Sequence, residues 1–312
     1  MTVIGYHCSH EQHPPSRALR DVVLAGEAGF DAAMCSDHLS PWTRAQGESG
    51  YAWAWLGAAL QATDLPFGVV TAPGQRYHPA VLAQKIATLG ELFPGRFWAA
   101  LGSGENMNEH VTGDVWPPKE ERVARLLECV DVIRRLLGGE EVTHDGLVRV
   151  DRARVWSRPA TPPPLVAAAV SPESARVAAT WADALITVNQ DIDALRKVLD
   201  AWGGRGPAYL QVHLSWAPTE DEARAVAIDQ WSSATIGSPN SWDLPTVELL
   251  EAATKPEEID AAVIISPDLA EHAARLVELR EIGFDALYLH HVGKEQAPFI
   301  EAFGEKVLPD VR

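Results

Sequence analysis

Residues 30–42 read Phe-Asp-Ala-Ala-Met-Cys-Ser-Asp-His-Leu-Ser-Pro-Trp. The apolar run Phe30–Ser36 has the length of one buried strand and stops abruptly at Asp37-His38. An apolar strand that delivers a carboxylate and an imidazole to its C-terminal end is how an α/β enzyme presents a proton-transfer group to a pocket. Histidine suits that task because its ordinary pKa lies near neutrality. The same letters also suit a polar turn with an Asp capping a helix, so the neighbouring segments must decide.

Outward from this stretch, short β-rich runs alternate with helical ones. Strands are expected to start near residues 3, 30, 67, 97, 165, 184, 209 and 286. Helical patterns fall between them at 16–28, 51–63, 79–93, 122–137, 172–181, 192–201, 220–231, 267–281 and 296–303. Such a succession of β/α units in 312 residues has the size of an α/β (β/α)₈ TIM barrel, read as one domain over 1–312. Two stretches interrupt it. One, near 138–160, carries a hairpin with Asp145-Gly146 at its turn; the other, 232–265, reads as irregular. A doubly wound open sheet is the rival, but no Gly-x-Gly-x-x-Gly turn follows the first strand.

The formal charge is −17, from 26 Lys and Arg against 43 Asp and Glu. That balance argues against nucleic acid and anionic membrane surfaces as partners. No stretch has the apolar length of a membrane span. Residues 1–7 lack a basic segment followed by an apolar run, so a cytoplasmic location is expected. Cys8, Cys35 and Cys129 show no metal or disulfide spacing, and Cys35 reads as a small buried hydrophobe. Of the 11 Trp, Trp42, Trp116 and Trp242 lie in polar loops, where an indole can wall a pocket for a flat ligand.

In a barrel, the segments after the strands share one rim. They include His7–Glu11, Asp37-His38, Ala72-Pro73, Ser103–Asn108, Val170–Ser174 and His290-His291. His38 with Glu105 or Glu11 would form an acid/base pair; alternatively each carboxylate caps a helix or faces water. Ser171, Pro172 and Ser174 open a helix whose free N–H groups and hydroxyls suit a phosphate, and they equally suit simple capping. The rim histidines lack metal-ligand spacing, so no metal is expected.

Four motifs in this order resemble the luciferase-like monooxygenase superfamily. They are Ser36-Asp37-His38 with Pro41-Trp42, Gly68-Val69-Val70-Thr71, Arg76-Tyr77-His78-Pro79, and Gly102–Glu109. Within the superfamily the chain is most similar, nearly end to end, to the coenzyme F420-dependent glucose-6-phosphate dehydrogenase branch. The resemblance implies a barrel, a homodimer, and a flavin or deazaflavin bound at the C-terminal rim. It makes His38 the base that takes a substrate hydroxyl proton and Glu105 the partner acid, with Glu11 and Trp42 shaping the substrate pocket. Asp37, Ser103 and Asn108 would contact the cofactor. Val69 and Val70 would carry a non-prolyl cis peptide under its ring, and backbone at Ala168, Ala169 and Ser171 would hold its phosphate.

One departure bears on the substrate. Branch members bind the sugar phosphate with Lys and Arg, one Lys following the sixth strand, where this chain has Asn189-Gln190-Asp191. The 232–265 stretch carries Lys255 as its single base. A phosphate dianion needs such charges, so glucose 6-phosphate is not the expected substrate. Ser171 and Ser174 resemble the FMN phosphate site of luciferases equally well, which leaves the cofactor as F420 or FMN. The leading expectation is hydride transfer between that cofactor and a small, hydroxylated organic substrate. A second is an FMN-dependent monooxygenase fed by a separate flavin reductase, and a third a non-catalytic flavin-binding protein.

Overall fold

The computed structural model describes residues 2–237 and 240–312. Eight parallel strands form the barrel: β1 Val3–Cys8, β2 Ala32–Ser36, β3 Phe67–Thr71, β4 Phe97–Leu101, β5 Leu165–Ala168, β6 Ala184–Val188, β7 Ala208–Ser215 and β8 Ala286–His291. Each pairs with its neighbours in this order, and β8 returns to β1 through Val3↔Ala286 to Tyr6↔Leu289, which closes the sheet. The expected alternation is therefore found.

The strand period divides the side chains between two cores. Ile4, Tyr6, Ala33, Cys35, Phe67, Val69 and Leu101 face outward into the layer shared with the helices. Ala32, Met34, Trp98, Ala100, Val166, Ile186 and Tyr288 fill the barrel itself. Cys35 is fully buried, as a small hydrophobe would be. The lower barrel is plugged by Trp98, Tyr209 and Tyr288, with ring centroids 5.5–6.2 Å apart. Two glycines admit these rings. A Cβ on Gly68 would come within 1.9 Å of the Trp98 ring, and one on Gly5 within 2.3 Å of Tyr288.

The expected hairpin is present as Val142–Asp145 and Arg149–Ala153, antiparallel, with a register shift between Val142 and His144. Glu128 holds its tip, accepting from Val148 N at 3.2 Å and contacting His144 Nε2 at 2.9 Å. The stretch 232–265 is more ordered than expected. It contains the helices Asn240–Asp243 and Val247–Ala253 and a two-residue strand, Ile264–Ile265, on the edge of β7. Within it, Ser238 and Pro239 lie outside the described residues. Its helices are only about one to two turns long, too short for a helical period to show in sequence. Ile236, Leu250, Ile259 and Val263 bring the stretch against Trp42. Among the described residues, no helix is long and apolar enough to cross a membrane.

Candidate active site

Above the aromatic plug, at the C-terminal ends of the strands, lies a cavity of ≈ 880 Å³. Of the expected site residues, His38, Glu105, Glu11, Trp42, Asp37, Val70, Ser103, Asn108, Ala168, Ala169 and Ser171 line it. Val69 does not: its side chain is fully buried in the outer core, since strand alternation turns it away when Val70 faces inward.

His38 sits between two carboxylates. Its Nδ1 is 2.6 Å from Glu11 Oε1, and its Nε2 is 3.6 Å from Glu105 Oε2. Glu11, itself held by Ser9 Oγ at 2.8 Å, fixes the proton on Nδ1 and leaves the Nε2 lone pair toward the cavity. Burial works to lower the His38 pKa, but the Glu11 hydrogen bond and charge, with that of Glu105, outweigh it and the net shift is upward. Burial alone would raise Glu11, yet bonding and charge from His38 bring it down to about 2. Glu105 moves the other way: burial raises it, and neither His38 nor Asn108 cancels that. The structure thus sets His38 between both carboxylates, bonded to Glu11 and facing Glu105 without a hydrogen bond.

The backbone around His38 is pinned from three directions. Arg76 Nη2 donates to Asp37 O at 2.5 Å, and Ser49 Oγ to His38 O at 2.8 Å. Asn108 Oδ1 accepts from Leu39 N at 2.8 Å and Ser40 N at 3.3 Å. The Asp37 carboxylate accepts from Trp53 Nε1 at 2.8 Å, Thr71 Oγ1 at 2.9 Å and Tyr77 OH at 3.2 Å. Asp37 therefore borders the cavity with most of its acceptor capacity already engaged by the protein. Trp42 stands edge-on to His38, ring centroids 5.0 Å apart at 83°.

One wall offers a bed for a flat ring. Ala167, Ala168 and Ala169 present nothing larger than a methyl group beside Val70, Gly102 and Ser103. A Cβ added to Gly102 would rest against that of Ala168 at 3.6 Å, an ordinary van der Waals contact. Gly104, at φ 83°, turns the chain in the left-handed region that glycine favours. This surface fits a deazaflavin or flavin ring. The phosphate end is less free: Ser171 and Ser174 form a reciprocal capping box, each hydroxyl accepting the other's backbone N–H at 3.1–3.2 Å.

Sequence reasoning missed several participants. Arg76 lines the cavity and is flanked by Asp37 at 3.8 Å and Glu109 at 3.5 Å. Its presence in an Arg-Tyr-His-Pro motif was visible, but its ion partners depend on folding. Gln211, His213 and Trp231 form much of the floor, together with His7 of the expected rim segment after β1. There Trp231 stands edge-on to His290 at 4.4 Å, and His7 lies 4.5 Å from His290. Trp242 lines the cavity, though from the short helix Asn240–Asp243 rather than from a loop, whereas Trp116 does not; it donates to Asp243 Oδ1 at 2.9 Å beneath Arg122. Among the described residues, no three His, Cys, Asp or Glu side chains are grouped to hold a metal ion.

The lining is acidic. Among the described residues its cations are Arg76 and Lys119, and Lys119 pairs with Glu173 at 3.3 Å. Lys255 lies outside the lining and pairs with Glu258 at 3.1 Å.

Residues 2–286 match the family model described as luciferase-like monooxygenase. The chain is 37% identical to an F420-dependent glucose-6-phosphate dehydrogenase of Beutenbergia cavernae, over 100% of this chain and 98% of that protein. It is 33% identical to an F420-dependent hydroxymycolic acid dehydrogenase of Mycobacterium tuberculosis, over 99% and 88%. Among solved structures, an F420-dependent secondary alcohol dehydrogenase in complex with an F420-acetone adduct superposes with a TM-score of 0.91 at 30% identity, covering 100% of this chain and 99% of that one. The barrel, the rim constellation and these likenesses agree: this chain belongs to the luciferase-like monooxygenase family, close to its F420-dependent glucose-6-phosphate dehydrogenase branch.

Proposed function

We propose that this chain is an oxidoreductase that moves hydride between a small, uncharged, hydroxylated substrate and coenzyme F420 or FMN, with F420 the first choice. The observation that carries the reading is His38, fixed by Glu11 on one nitrogen and facing the cavity and Glu105 with the other. The F420 in the names of relatives at 30–37% identity supports that choice of cofactor. When bound, the cofactor supplies the hydride acceptor, and the alanine wall with Val70 would hold its ring.

The chain's own residues handle the proton. His38 Nε2 accepts it from the substrate hydroxyl, and ionised Glu11 stabilises the imidazolium that forms. Glu105, raised by burial, remains protonated to higher pH than an ordinary carboxyl and serves as the acid facing His38 Nε2 across the cavity. Trp42, edge-on to His38, walls this side of the cavity.

Among the described residues the lining's cations, Arg76 and Lys119, already face carboxylates within an acidic wall, which favours an uncharged substrate over glucose 6-phosphate. The test is an anaerobic fluorescence titration with F420 and with FMN, followed by turnover of propan-2-ol and of glucose 6-phosphate. Tight binding of F420 and faster oxidation of the neutral alcohol are expected. Binding of neither cofactor at micromolar concentration overturns the reading, and preference for glucose 6-phosphate overturns its substrate.

A further inference from the structure

Asn108 is 2% exposed, and both ends of its amide are engaged within the protein. Leu39 N and Ser40 N are donors, so the atom facing them, at 2.8 and 3.3 Å, must be the oxygen. The amide nitrogen is thereby turned to Glu105, donating to Oε2 at 3.1 Å. That same Oε2 is the oxygen nearest His38 Nε2, at 3.6 Å, beyond hydrogen-bond reach. One side chain therefore joins the backbone just after the base to the carboxyl of the acid.

The geometry points to Asn108 as a positioning residue that holds Glu105 off His38, and so sets how strongly acid and base are coupled. Once Glu105 has given up its proton, its carboxylate beside an imidazolium is drawn into a direct ion pair unless another donor competes for it. Asn108 is that donor. By keeping Oε2 at a distance it leaves His38 Nε2 free for the substrate hydroxyl. The inference rests on the proposed roles of His38 and Glu105, and it assigns Asn108 a task other than contact with the cofactor. The other charged or titratable groups acting on His38 are Glu11 after β1, Arg76 after β3, and the buried His7 and His10.

The deciding variant is Asn108→Asp. It keeps an oxygen for the Leu39 and Ser40 amides, so the loop stays anchored, but offers Glu105 no donor. The readout is the His38 imidazole titration by NMR in the cofactor-free full chain, which needs no turnover and so stands even if the proposed activity fails. The His38 midpoint is expected to rise by about 1 pH unit, as an opposite charge closes on it. The double variant Asn108→Asp/Glu105→Gln returns it to the wild-type value or below. F420 affinity stays within about threefold, a difference of less than 1 kcal/mol. In turnover, the acidic limb of kcat moves up with the midpoint, because oxidation needs neutral His38. Asn108→Leu moves the midpoint in the same direction. An unchanged midpoint in Asn108→Asp overturns the inference. So does a rise that survives Glu105→Gln, since the new carboxylate would then act on His38 directly. A loss of F420 affinity with a fixed midpoint would make Asn108 a cofactor contact instead.

Discussion

His38 and four buried histidines of neighbouring strand ends, His7, His213, His290 and His291, hold their protons in opposite ways. His38 touches Glu11 and faces Glu105, and its pKa is raised. Burial without a directly bonded carboxylate lowers His7 to about 4, even with the Glu11 charge nearby, lowers His213 and His291 to about 3, and takes His290 well below its ordinary value. Burial is the largest single influence on all of them, and for His38 too it works downward. What separates base from floor is the carboxylate, not the depth. Neutral floor imidazoles bond through amides instead: Gln12 Oε1 accepts from His290 Nε2 at 2.9 Å, and Gln211 Nε2 donates to His213 Nε2 at 3.1 Å. Such a floor adds polarity beneath a ligand without adding charge.

Four measurements break or sharpen this contrast. The largest effect is expected from His38→Ala, with kcat falling about 10²–10⁴-fold and F420 affinity nearly unchanged; a variant of normal rate removes His38 from the chemistry. Next comes acid stability. A histidine depressed in the folded state is protonated more readily once unfolded, so its stabilisation is complete above pH ~6.5 and is lost as pH falls toward its folded value. Each such group steepens the loss by about 1.4 kcal/mol per pH unit. Chemical denaturation between pH 7 and 4.5 should reveal this slope, and a flat profile would mean the floor is hydrated and protonated in the fold. His38 contributes with the opposite sign: its raised pKa gives stability present below ~6.5 and lost as pH rises through its folded value.

A smaller effect is expected from Glu11→Gln. Without that charge the His38 pKa falls, and the acidic limb of alcohol oxidation moves down by about 1–3 units. A limb that stays in place would assign it to another group. Smallest is His291→Phe. His291 stacks on Phe299 at 4.8 Å and 17° and does not line the cavity. Turnover should be unchanged, while the acid slope eases by about 1.4 kcal/mol per unit.

The barrel was legible because its evidence is local. Short apolar runs, Pro79 at a helix start and the polar letters after each strand all lie within a few residues of one another. Asp37-His38 and Glu105 could be placed on one rim from strand order alone. The partners of Arg76 could not, since its contacts with Asp37 and Glu109 span 39 and 33 residues and arise only when three loops meet. The engagement of Asp37 by Trp53, Thr71 and Tyr77 was hidden for the same reason, and with it how little of that carboxylate is left for a ligand. The short helices of 232–265 stayed hidden because tertiary contact with Trp42, not periodicity, holds them.

Gly68 beneath the Trp98 ring, and Gly5 against Tyr288, carry a consequence for descent rather than for chemistry. Neither glycine can acquire a side chain while its aromatic partner stays large, and shrinking the aromatic first opens a void costing about 3–5 kcal/mol. Both single-step routes cross a valley of instability. Each pair is therefore inherited as a unit, and the lower barrel should drift far more slowly than the cavity wall above it, where changes of substrate can accumulate.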